Sequence, residues 1–105
     1  MLKLWENLTS EERLDAILRA LDEKDRALSA AQVAHAVAQR HPMKLPTWGK
    51  NGHGNGLRRP SLAVRVTPGI IRLRERGLIV MTVRPDGRSG TADVITDAGR
   101  AYLRR

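Results

Sequence analysis

The sequence has 105 residues, with 19 Lys and Arg against 11 Asp and Glu, giving a net charge of +8. That length suits one domain, 1–105, with a modest core, and a hydrophobic share of 41% is that of a globular chain rather than a disordered basic one. No apolar run approaches the ~20 residues that cross a bilayer, and acids enter the N-terminal segment too early for a secretory signal. The lack of cysteine excludes disulfides, thiol catalysis and cysteine-ligated zinc, so the expected setting is the cytoplasm.

The first predicted helix covers 9–22. Thr9 and Glu12 have capping-box spacing, and Leu14, Ile17, Leu18 and Leu21 form one apolar stripe. A polar Glu-Lys-Asp run at 23–25 ends it. The second helix covers 29–40, with Ser29 and Gln32 again spaced as a capping box and Ala30, Val33, Ala34 and Val37 on a narrow apolar face. His41-Pro42 stops it, because a residue before proline avoids helical angles.

Residues 41–66 read as a long basic loop. Four of the nine glycines (Gly49, Gly52, Gly54, Gly56) fall there, with Pro42, Pro46 and Pro60 at its joints. Within it, Leu62, Val64 and Val66 alternate with Ala63 and Arg65 like a short strand. The third helix is expected over 67–76, with Thr67 as N-cap, Pro68 at the first position, Ile70, Ile71 and Leu73 within, and a stop at Arg76-Gly77. A longer helix from Ser61 would carry Pro68 and Gly69 inside it, at about 3 and about 1 kcal/mol, so the shorter one is preferred. A hairpin follows over 78–95, its strands separated by the turn-forming run 85–90. Thr96-Asp97 then caps a C-terminal helix over 96–104.

The charge is segregated along the chain. Residues 1–40 hold 6 basic and 7 acidic side chains, residues 41–90 hold 10 and 2, and residues 91–105 hold 3 and 2. A positive field concentrated in one segment attracts polyanions, nucleic acid first. Solubility is the plainer explanation, since 15 of the 19 basic residues are Arg. An anionic membrane surface fits less well, because no basic amphipathic helix accompanies the charge.

Helix, helix, basic loop, helix, hairpin, helix is the order of a winged helix-turn-helix domain. IIRLRERGLI from Ile70 resembles the end of the recognition helix and the start of the wing in bacterial regulators of the MarR and PadR type. ADVITDAGRAYL from Ala92 resembles the last wing strand and following helix of the same families, and LSAAQVAHAV at 28–37 looks like the helix before recognition. The resemblance covers 9–40 and 67–104; at 41–66 those families have a turn of ~3–4 residues. It implies an α+β fold, with a three-helix core, a two-stranded wing and a short C-terminal helix. The function it implies is sequence-specific binding of double-stranded DNA in transcriptional regulation, as a homodimer with two wings about one DNA turn apart. Leu2, Leu4 and Trp5 are apolar for a terminus and pack either on the domain or on a second copy.

The candidate DNA contacts are Lys50, Arg58, Arg59, Arg65, Thr67, Arg72, Arg74, Arg76, Arg84 and Arg88. Arginine reads guanine with two donors, and a helix N-terminus such as that at Thr67 offers N–H groups to phosphate. Arg88 at the hairpin tip suits a narrow A·T-rich minor groove, and Arg84 stands at the base of the wing. Lys50, Arg58 and Arg59 among glycines suit a phosphate-binding arm. Each has a plainer reading: Arg76 satisfies the last carbonyls of its helix, Arg74 and Glu75 are surface charges, and Arg88 is a solvated turn residue. Trp48 reads more safely as packing than as a base-stacking residue.

The loop glycines lack the phosphate-loop order, and His35, His41 and His53 make no metal site. Glu11, Glu12 and Asp15, then Asp22, Glu23 and Asp25, read as solvated helix faces, so no enzyme is expected. The rival reading is a winged helix used as a protein-interaction or assembly module, or as a non-specific nucleic-acid-binding accessory protein.

Overall fold

Both predicted capping boxes close as hydrogen-bonded pairs. In the computed structural model, which describes residues 3–43 and 62–105, Thr9 starts helix α1 (Ser10–Lys24). Its Oγ1 accepts from the Glu12 N–H at 3.1 Å, while its own N–H donates to Glu12 Oε1 at 2.8 Å. Ser29 and Gln32 do the same for α2 (Ala30–Arg40), at 3.3 and 2.9 Å. Each box satisfies two N–H groups that a helix start leaves without partners. Asp25 closes α1 in the left-handed region, with φ 49°.

Helix α3 spans Ala63–Glu75 and overturns two expectations. The strand expected at 62–66 forms its first turn, and Thr67 lies inside the helix instead of capping it, its hydroxyl donating to the Ala63 carbonyl at 2.8 Å. Extending the helix backwards brings Val66 into line with Ile70 and Leu73, and all three are buried. Burying one such side chain contributes about 1.5–3 kcal/mol. Both expected penalties are also reduced. Pro68 is on the solvent side, where water can satisfy the Val64 carbonyl that loses its partner. Gly69 faces α1, where a Cβ would stand 2.7 Å from Ile17 Cδ1.

Arg76 and Gly77 end α3, Gly77 with φ 75°. Strands β1 (Ile79–Val83) and β2 (Thr91–Ile95) pair antiparallel, from Ile79 opposite Ile95 to Val83 opposite Thr91. On the far side of β2, Leu28 adds one bridge to Asp93. Thr96 caps α4 (Asp97–Leu103), accepting from the Gly99 N–H at 3.1 Å and donating to the Gly77 carbonyl at 2.9 Å. That one hydroxyl ties the end of α3 to the start of α4.

The class is α+β, with four helices and a two-stranded antiparallel sheet among the described residues. Helices α2, α3 and α4 each pack on α1, whose Leu14, Ile17, Leu18 and Leu21 form the centre of the core with Leu28, Val33 and Val37. The N-terminal segment belongs to this core. Trp5, in a short 3-10 turn, is buried, its N–H donating to the Pro42 carbonyl at 3.1 Å and its ring lying 5.2 Å from the Arg13 guanidinium. Of the two placements expected for Trp5, packing on its own domain is the one seen. No described helix is long and apolar enough to cross a membrane.

Candidate nucleic-acid interface

Helix α3 has two opposite stripes. Val66, Ile70 and Leu73 face inward. Val64, Thr67, Pro68, Ile71 and Glu75, spaced at i, i+3, i+4, i+7 and i+11, are all exposed, Val64 at 63% and Ile71 at 47%. Arg65 and Arg72 flank this outward stripe on one side. Arg74 lies on the other.

An ion pair ties the hairpin to α3, beside the burial of Ile79 and Ile95 in the shared core. Arg74 donates Nε to Asp93 Oδ1 at 2.7 Å and Nη2 to Asp93 Oδ2 at 2.8 Å. Asp93 is 2% exposed, and its carboxylate raises the pKa of Arg74 chiefly through these hydrogen bonds. Register places Ile79, Met81 and Val83 on the same sheet face as Asp93 and Ile95, and that face turns towards α3. Met81 and Val83 remain largely exposed there, and Val80 is exposed on the opposite face.

The hairpin tip is organised by its own acid. Asp86 accepts from Arg84 Nη2 at 2.6 Å and from the Arg88 backbone N–H at 3.0 Å. The Arg84 guanidinium first, and then the Arg88 N–H, hold the Asp86 carboxyl below its ordinary 3.8. Gly87 and Gly90 take φ values of 78° and 105°, which favour glycine.

The expected contact residues separate into groups. Lys50, Arg58 and Arg59 lie outside the described residues, as do Trp48 and His53. Four of the remaining arginines already have carboxylate partners. Arg65 Nη1 lies 3.7 Å from Glu6, Arg74 is committed to Asp93, Arg76 reaches Glu11 at 3.0 and 3.3 Å, and Arg84 holds Asp86. Arg74 is therefore a buried-acid anchor, not the surface charge its plainer reading made it. Arg76, instead of satisfying its helix's last carbonyls, links α3 to α1. Thr67 keeps its place on the outward stripe, although its hydroxyl is taken by the Ala63 carbonyl. On α3 and the hairpin, Arg72 and Arg88 alone have guanidinium groups without a carboxylate partner among the described residues.

Sequence reasoning missed the outward stripe and the role of Asp93. The stripe is visible in the spacing 64, 67, 68, 71, 75 only on the longer helix, because a helix starting at Thr67 leaves Val64 outside it. Asp93 has no local signal; its partner is 19 positions away. Among the described residues, no three His, Asp or Glu side chains gather as a metal site. No family model matches this chain, and neither a curated protein nor a solved structure matches it.

Proposed function

We propose that this chain is a winged helix-turn-helix regulator that binds double-stranded DNA sequence-specifically, with α3 in the major groove and the β1–β2 hairpin at the minor groove. The contrast between paired and unpaired arginines carries the reading. The arginines beneath and beside α3 are tied to Glu6, Asp93 and Glu11, whereas the guanidinium groups of Arg72 on the helix and Arg88 at the tip form no ion pair among the described residues. Guanidinium groups not engaged in ion pairs, on a helix and an adjacent hairpin, suit phosphates and groove edges. The bridge from Leu28 to β2 supports the same reading, because it couples the α1–α2 connection to the sheet beside α3. The excess charge supports it as well: Lys44, Lys50, Arg58 and Arg59 precede α3 in sequence with no acid among residues 44–61.

Binding as a homodimer to a twofold-symmetric site is part of this proposal. The test is gel-shift titration against random duplex DNA over a salt series. Wild-type protein binds at low salt, and log affinity falls linearly with log salt. Arg72→Ala and Arg88→Ala each flatten that slope by about one unit while leaving the fold intact. A folded protein that binds no duplex at low salt ends the reading.

A second reading, a protein-interaction or assembly module, draws on exposed Val80, Met81 and Val83. It predicts little binding in the same titration and loss of partner capture on Met81→Ser.

A further inference from the structure

The outward face of α3 is apolar where a phosphate-binding helix would be basic. Val64, Pro68 and Ile71 stand in line with the Thr67 methyl, all exposed, and the stripe becomes charged only at Glu75 near the helix end. Among the described residues the core is served by Val66, Ile70 and Leu73 on the opposite side, and nothing covers the stripe. Aliphatic side chains adjoining on one exposed stripe, unlike scattered ones, mark a surface for a partner.

Charge selects the occupant. Arg72 flanks the stripe without a carboxylate partner among the described residues, and the chain as a whole has a net charge of +8. So cationic a chain draws a polyanion onto this stripe more strongly than it draws a second copy of itself. A DNA duplex also offers apolar groups in a suitable place: the 5-methyl groups of thymine line the major groove, and aliphatic side chains recognise them. Residues near the N-terminus of a reading helix are the ones that reach base edges, and Val64, Thr67 and Pro68 lie in the first half of α3.

Resting on the duplex-binding reading above, we infer that α3 selects its sites by thymine methyl groups, Val64 and Ile71 packing against them, with Arg72 on the adjoining backbone. Sequence choice in the major groove then depends on shape and apolar contact more than on arginine–guanine pairs. Glu75 ends the contact beyond Ile71, because its carboxylate repels phosphate.

The experiment enriches bound duplexes from a random pool made with dTTP, then remakes the enriched duplex with deoxyuridine in place of thymidine. Base pairing is unchanged and only the methyl groups are removed. Wild-type affinity is expected to fall about fourfold for each methyl contacted, the factor that burial of one such group supplies. The Val64→Ala/Ile71→Ala variant should bind the two forms alike, with the circular dichroism of the wild-type fold. Equal wild-type binding to both forms overturns the inference and leaves the duplex-binding reading standing. Failure to bind unselected duplex overturns that underlying reading and is scored first. A dimer in sedimentation that dissociates on Val64→Ala/Ile71→Ala assigns the stripe to a second copy, and also overturns the inference.

Discussion

Arg74 of α3 and Asp93 of β2 form a two-pronged ion pair, and the same Asp93 exchanges both backbone hydrogen bonds with Leu28, at 2.9 and 2.8 Å. One residue thus joins the third helix, the hairpin and the α1–α2 connection. Removing Arg74 leaves a buried carboxylate without its cation. Because a third of the Arg74 side chain is exposed, the cost is set below that of a fully buried pair. Arg74→Ala is expected to lower stability by about 2–4 kcal/mol in urea unfolding. Arg72→Ala, without a partner to orphan, should stay within about 0.5 kcal/mol of wild type. Equal losses would refute the anchoring role.

The Glu11 carboxylate joins three helices, accepting from Arg76 and from the Tyr102 hydroxyl, the latter at 3.0 Å. The Arg76 guanidinium first, and then Tyr102, hold this carboxyl below its ordinary 4.5. Its value in the folded state is lower than in the unfolded chain. The pairing therefore stabilises the protein above the unfolded value and is lost as pH falls through the folded one. Urea midpoints should decline as pH is lowered from about 5 to about 3, and Glu11→Gln should flatten part of that decline. An unchanged slope in Glu11→Gln would show that other carboxylates account for it.

Two helical glycines separate a rigid close approach from a yielding one. A Cβ at Gly99 would stand 2.3 Å from the Leu78 carbonyl oxygen and 2.7 Å from Ile95 Cγ1, whereas at Gly69 its nearest neighbour is the tip of Ile17. Backbone cannot move aside as a side-chain terminus can. Gly99→Ala is expected to cost about 3 kcal/mol by overpacking. At Gly69→Ala, the roughly 1 kcal/mol gain in helix propensity offsets most of the strain. Thermal unfolding of the two variants side by side checks the order.

Pro68 lies within α3 but on its wet side. Pro68→Ala restores an N–H for the Val64 carbonyl and should stabilise the protein by about 1–2 kcal/mol, less than the full interior penalty because water already serves that carbonyl. Circular dichroism should show the helix content retained. A loss of stability would mean that the proline's restriction of the unfolded chain outweighs the missing bond.

Much of the candidate interface was legible only as composition. Arg65, Arg74, Arg76 and Arg84 all looked like available cations, and the folded chain gives each a carboxylate. The exception is informative: Arg84 and Asp86 are two residues apart, so their pairing was within reach of local reasoning. Glu11 and Arg76 are separated by 65 positions, and no rule of spacing connects them.

By itself, the sequence determined the starts of α1, α2 and α4, the Gly77 stop, and the hairpin with its turn at 85–90. Each of these depends on side chains and backbone groups within a turn or two of each other, so residue identity and spacing suffice. Tertiary structure alone decided that α3 runs through Pro68 and Gly69, which arginines are neutralised, and which face of α3 stays in water. Those outcomes depend on burial against α1 and on ion pairs between distant elements, energies that exist only after the helices and hairpin have met.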